Sequence, residues 1–423
     1  MRTQNSFLET WKFFAIAAFP AFLSNFWIII RSPDFLNAKD FIEWAVLTSS
    51  GILVCCLSQL GIKPGYMQEV TDKGVENRYP ALTSSLLLLS TTGLLAGLFL
   101  AFLFIILNYY HLWENTIVLY SLPLFCLTSN LYVIFQTDMR IRQKAQELAR
   151  LSIIQTFLSL IVFESMLLFS FDFLLCVFLS SGISTGIICI FLYLNISIPR
   201  NSVIDTIFLK KALNIGSFFL FSLLCRYAAD SIVFSSFKWI PPETIGGYLG
   251  VSIKLCEPVS ILYVSALQMA WGSHVYDWIK NSIENLPNLS AWASKLLFYG
   301  FALGNLVAIL MWFFLFSDIP FVSLFPFILM TLSRITAFGV LTTVGYGQTI
   351  KRSYKTGFKI NFVELILTIL LVPLSLVYLH WSFCLLICGV LPWISVARVY
   401  LNSNSVITLN TLNKKSDPTT DVF

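Results

Sequence analysis

The sequence predicts an all-α polytopic membrane protein with twelve transmembrane helices, and three observations carry that expectation. Hydrophobic residues make up 57% of the 423 positions and charged residues 12%. With a mean hydropathy of +0.79, this is far more apolar than a soluble globular domain needs. Apolar runs long enough to cross a hydrocarbon core of about 30 Å recur along the whole chain. The positive residues also alternate in register with those runs. Counting each run as one crossing puts 21 of the 27 Lys and Arg on one side; Arg31, Lys39 and Lys238 fall on the other, and Arg226, Lys254 and Arg334 inside the membrane. One missed crossing would reverse every later loop and erase this asymmetry, so twelve spans are expected, with both termini on the positive, cytoplasmic side.

Taken in order, the first run extends from about Lys12 to Ile30. It is too long for the apolar core of a signal peptide and lacks a small-residue cleavage site, so it is expected to remain as the first span. Pro20 frees a carbonyl within it and bends the helix, which membrane helices tolerate where a neighbour or a cavity satisfies the backbone. Further spans are expected at roughly 41–62, 83–107, 115–136, 150–171, 173–194, 212–237, 246–271, 292–316, 319–347, 360–379 and 381–401. The connections are short, about ten residues at most outside and about twenty inside, which leaves no room for a soluble domain. The stretch after Asn402 is polar and without apolar periodicity. The organisation expected is therefore a first six-span half at 1–194, a cytoplasmic linker at 195–210, a second half at 211–401 and a disordered tail at 402–423. Both halves would start from the same side, which permits a parallel repeat. KDFIEWAVLTSS and PETIGGYLGVSIK, opening the second and eighth spans, align as a polar start, an aromatic at Trp44 or Tyr248, then small and apolar residues.

Several function classes are excluded. There is no Walker loop or HExxH motif. The nine cysteines, including the Cys384 and Cys388 pair, sit in apolar segments as small hydrophobes, and His111, His274 and His380 are too scattered for a zinc site or a triad. No enzyme activity, metal, cofactor or nucleic-acid partner is expected.

The unusual stretch runs from Lys211 to Trp271, where LLCRYAADSIVF holds Arg226 and Asp230 and YLGVSIKLCEPV holds Lys254 and Glu257. Such a charge at bilayer depth costs about 2.5–3.5 kcal/mol on insertion scales, so it needs a partner or a task. At 1.5 Å per residue, Asp230 and Lys254 both lie roughly 12 Å below the outer edge, and Arg226 and Glu257 roughly 17–18 Å. Antiparallel neighbours would pair Arg226 with Glu257 and Asp230 with Lys254. The quartet then either neutralises itself and pins two helices together or lines a solvated cavity that holds an ionic substrate. Arg334 lies near mid-membrane with no charge within a turn of it; Glu164 or Glu364 would bridge it, or it faces the cavity. Glu164 is measured as deep, roughly 21 Å from Arg150, a candidate for pairing or proton carriage, whereas Glu364, roughly 8 Å from Lys359, reads as near the inner interface.

These residues carry a family resemblance. LCRYAADSIVFSSFKWIPPETIGGYLGVSIKLCEPVSILYVSALQMAW resembles the seventh and eighth helices of polysaccharide-repeat-unit flippases, the O-antigen and capsule translocases of the MOP exporter superfamily. The shared pattern is an Asp (Asp230), a polar outer turn (Pro241, Glu243), Gly-x-Tyr (Gly246 to Tyr248) and a basic residue (Lys254). LSQLGIKPGYMQEV and FQTDMRIRQKAQELARLSIIQ are weaker echoes. The resemblance implies two six-helix bundles in a MATE-like V, a cavity lined by helices one, two, seven and eight, and alternating access. It implies a bacterial inner-membrane protein carrying undecaprenyl-pyrophosphate-linked oligosaccharide among membrane lipids, with a polysaccharide polymerase and a chain-length regulator as partners. Arg226, Lys254 and Arg334 are then expected to bind substrate, with Asp230, Glu257 and Glu164 poising them or carrying a coupling proton. A multidrug or metabolite antiporter of the same fold and an O-antigen polymerase or ligase are the alternatives.

Overall fold

The computed structural model describes residues 2–109, 117–142, 144–196, 204–241, 243–281, 283–350 and 355–416; His111, positions 197–203 of the expected linker and the last seven residues of the tail lie outside them. Regular structure among the described residues is entirely helical. Among the described residues, twelve helices are long and apolar enough to cross a membrane: Trp11–Asp34, Asp40–Ser58, Tyr79–Tyr109, Leu119–Ile141, Gln146–Leu168, Phe173–Asn195, Thr206–Trp239, Thr244–Gly272, Ile283–Leu315, Phe321–Gln348, Lys355–Tyr378 and Trp381–Val406. They are called here the first to twelfth spans.

Local chemistry sets several of the ends. Asp172 caps the sixth span by accepting from Leu175 N at 3.0 Å, and Asp205 caps the seventh by accepting from Phe208 N at 2.8 Å. The cap at Asp205 starts the seventh helix at Thr206, inside the stretch read from sequence as linker. The expected disordered tail is also shorter: the last helix runs on to Ser416. Ser403 and Val406 are buried there, and Tyr346 donates its hydroxyl to Asn404 Oδ1 at 2.5 Å, so the first turns past Asn402 have packing partners that composition does not reveal. The eighth span contains Pro258, followed directly by a π-helical turn at Ile261–Ser265, a local widening of the kind that marks functional hinges.

The third to sixth spans pack mainly within the first half, and the ninth to twelfth mainly within the second. Between the halves, the second span packs on the seventh and eighth, and the first on the eighth. The end of the molecule that carries Lys63, Arg78, Arg140 and Lys211 is termed the basic end. There a short helix, Ile62–Lys73, follows the second span and folds back against the seventh. Leu60 and Gly61 make that reversal with φ of +50° and +69°. The helix comes so close that a Cβ on Gly216 would occupy the space of the Gly61 carbonyl, and one on Gly65 would collide with Ala212. Glu69 clamps the same contact, taking Lys73 at 2.6 Å and Lys211 of the seventh span at 3.1 Å. Burial opposes its charge, but the two ammonium hydrogen bonds prevail and hold its carboxyl below the usual carboxylate range. At the opposite end, Gly250 of the eighth span lies against the backbone of Phe41 and Ile42, and Lys238 reaches Glu43 at 3.1 Å. The two similar segments that open the second and eighth spans are thus packed on each other.

The glycine contact at the basic end gives a test. Gly216→Ala should destabilise the purified protein by about 1–3 kcal/mol through overpacking, read as a lower melting temperature, whereas Gly74→Ala, with open space around its Cβ but a left-handed φ, should lose less.

Candidate functional site: a cationic cavity backed by buried ion pairs

A cavity of about 570 Å3 lies between the halves towards the basic end. The short helix, the fourth span and the seventh, eighth, tenth, eleventh and twelfth spans all contribute to its wall. No described residue of the first span does, and the second reaches it only through the short helix that follows it, so the expected lining by helices one, two, seven and eight is met by seven and eight alone. Three cations line it: Lys63, Arg140 and Arg226. Gln136, Gln268, Thr342, Gln348 and Asn361 add polar groups, and no Asp or Glu is among the described lining residues.

The position of Arg140 is fixed by a knot at the basic end. Asp138, fully buried, receives the Tyr66 hydroxyl at 2.7 Å and pairs with Arg78 Nε at 3.0 Å and Arg142 Nη2 at 2.7 Å. This ties the short helix, the start of the third span and the end of the fourth into one unit. Residues two apart on a helix point about 200° apart, so seating Asp138 inside this knot turns Arg140 towards the cavity. Tyr66 belongs to LSQLGIKPGYMQEV, and Asp138 and Arg142 to FQTDMRIRQK; the two echoes noted in the sequence are joined in space.

Behind Arg226, the deepest of the three cations, lies a closed network. Arg226 Nη1 donates to Glu364 Oε1 at 2.6 Å, and its Nη2 donates to the Arg334 carbonyl at 3.2 Å. Glu364 also accepts from Ser395 Oγ at 2.6 Å. Arg334 donates through Nε to Asp230 Oδ1 at 3.0 Å, with Nη2 bound to the same oxygen, and through Nη1 to the Cys388 carbonyl at 2.9 Å. Two guanidiniums and two carboxylates from the seventh, tenth and eleventh spans thus neutralise each other.

The pairing expected from depth is therefore corrected. Arg226 does not meet Glu257, and Asp230 does not meet Lys254. Depth fixes the level of a residue but not the face it occupies: Arg226 and Asp230, one turn apart, face the tenth and eleventh spans, while Lys254 and Glu257 pair with each other at 2.8 Å on the eighth. Lys254 lies 4.1 Å from the centre of the Trp44 ring, with Thr48 Oγ1 at 3.4 Å, so its cation bridges the halves rather than facing the cavity. Arg334 pairs with Asp230, not with Glu164 or Glu364, and does not line the cavity. Glu164 is not deep. It stands four residues from the far end of the fifth span, is a third exposed, and accepts from Trp27 Nε1 at 2.6 Å with Arg31 Nε at 3.4 Å. Arg150 already lies inside the helix, which runs from Ala145 to Leu168, so counting from it carries Glu164 past the middle to the far end. Glu364, read as near the interface, is the tenth of 24 residues in its helix and is buried. Lys63 and Arg140, which the sequence reading counts only as inner-side positives, are what it missed; both belong to the two echo motifs.

No protein-family model matches the chain, and no curated protein matches it. Solved structures do. A multidrug-resistance MATE family transporter of the MOP superfamily in its outward-facing conformation superposes with a TM-score of 0.71 at 12% identity, covering 95% of both chains. Its inward-facing conformation gives 0.63 at 12% identity, over 95% of this chain and 96% of that one. A MOP superfamily transporter from Pyrococcus furiosus, described as having a binding pocket of reversed polarity, gives 0.68 at 13% identity over 95% of each chain. The chain has the MATE/MOP fold.

The network makes its own prediction. Arg226→Gln alone should strand the buried Glu364 charge and cost about 3–5 kcal/mol, while Arg226→Gln with Glu364→Gln should recover most of it, as read from melting temperatures in the same detergent.

Proposed function

We propose that the protein is a membrane transporter that moves an anionic, lipid-linked oligosaccharide across the bilayer by alternating access, a flippase for undecaprenyl-pyrophosphate-linked repeat units. What supports this reading is the charge of the cavity: three cations and no carboxylate among the described lining residues. A pyrophosphate is matched by guanidinium forks and an ammonium point charge in a site of low dielectric. The resemblance of the seventh and eighth spans to polysaccharide-repeat-unit flippases favours the same cargo. In this reading the basic end is cytoplasmic, the chain resides in a bacterial inner membrane, and Arg226 forms the deep wall of the loading cavity. Lys254, held on Trp44, stands where the halves touch at the far end, with Glu257 beside it.

A multidrug antiporter of the same fold is the second reading, favoured by the MATE structures that superpose on the chain. The cavity argues against cationic drugs, because nothing in its described lining offsets their charge. The decisive test uses the full chain in proteoliposomes. A fluorescent pyrophosphate-linked oligosaccharide lipid should become accessible on the opposite leaflet faster than in empty vesicles, and an ethidium-type cation should not move. Transport of the cation without translocation of the lipid would replace the flippase with the antiporter.

A further inference from the structure

We infer that Lys63 and Arg140 together form the phosphate-binding pair of the cavity, the point where the pyrophosphate of the cargo is first held. This rests on the flippase reading and assigns the contact to residues other than Arg226, Lys254 and Arg334.

Each of those three already has a carboxylate: Glu364, Glu257 and Asp230. Lys63 and Arg140 are different. Among the described residues, Lys63 makes no hydrogen bond or ion pair, and Arg140 makes one hydrogen bond, to Gln136 Oε1 at 3.1 Å within its own helix. Arg140 Nε is buried without a partner. The nearest acid on the same helix, Asp138, is consumed by Tyr66, Arg78 and Arg142. Two cations from separate elements therefore line one cavity with no counterion. Such an arrangement is costly in a low-dielectric site, and an anion bound between them offsets the cost.

The charges around Lys63 set a pH dependence. Burial pushes its ammonium down to about 7, Arg140 opposes it further, and only the Cys56 thiol of the second span acts the other way. Arg226 and Tyr227 are the other charged or titratable groups lining the cavity. Lys63 is thus charged below about pH 7 and neutral above it. An anion beside it favours the charged form, so loading above that pH takes up a proton at Nζ.

The experiment uses the full chain in lipid nanodiscs. The probe is a short-chain polyprenyl pyrophosphoryl N-acetylglucosamine, a pyrophosphate diester whose two negative charges do not change between about pH 6 and 9. At pH 6, Lys63→Gln and Arg140→Gln should each weaken its binding roughly tenfold, the loss of one charge-assisted contact. Wild-type affinity should fall by a similar factor towards pH 9, Lys63→Gln should show no such fall, and Lys63→Arg should stay tight throughout. Wild-type affinity in both Gln variants would overturn the pair while leaving the flippase reading intact. A Lys63→Arg profile that still fell with pH would overturn the role given to Lys63, even if the Gln variants fail to fold. No binding of the lipid by wild type, with a cationic dye bound instead, would overturn the flippase reading itself. Inorganic phosphate binding as tightly as the lipid would remove the lipid from the assignment.

Discussion

The constraint on which the rest depends is that a charge inside a bilayer must be paired or must face water. In the second half of this chain that requirement is met by closure. Arg226, Asp230, Arg334 and Glu364 satisfy one another across three spans, with the Cys388 carbonyl and Ser395 filling remaining positions. Buried pairs of this kind add little net stability over apolar packing, yet removing one member is expensive. Their effect is to specify which helices are neighbours and how each is rotated.

That rotation shapes the cavity. Fixing the seventh, tenth and eleventh spans turns Arg226 towards the opening while its charge remains balanced from behind. On the other side, the knot at Asp138 fixes the fourth span and the short helix, and it does so with a surplus of positive charge. The wall built from the second half is close to neutral, and the wall built from the first half is cationic. An anionic headgroup entering between them meets a directional field. The halves touch at both ends, through Gly61 and Gly216 at one and through Phe41, Ile42 and Gly250 at the other. In the proposed transport cycle, movement of a large cargo requires one set of contacts to part, and the Pro258 and π-helical region of the eighth span lies between them.

Span number and fold class were legible because both follow from hydropathy and loop charge, which are one-dimensional properties. Ion-pair partners were not. Depth along a helix is a count of residues, but partner choice depends on azimuth, and the Arg226 and Asp230 face is set by packing on the tenth and eleventh spans. Glu164 and Glu364 show a second difficulty: depth counted from the nearest basic residue rather than from the helix ends makes an edge residue look deep and a deep one look peripheral. Lys63 and Arg140 fell on the basic side in any count. Only the reversal at Leu60 and Gly61, a local backbone event, brings Lys63 onto the cavity wall. A lone carboxylate in an apolar span, Glu364, was the readable sign that a deep arginine had its partner elsewhere.

The central claim is that the deep ions are committed to each other and that the cavity's working charges are those without partners. It is tested most directly by a cryo-EM map of the full chain in nanodiscs with the pyrophosphoryl lipid bound. The account predicts phosphate density within hydrogen-bonding distance of Lys63 and Arg140, with the Arg226–Glu364 and Arg334–Asp230 contacts unbroken. Phosphate density at Lys254 or Arg334, with those residues released from Glu257 and Asp230, would contradict it.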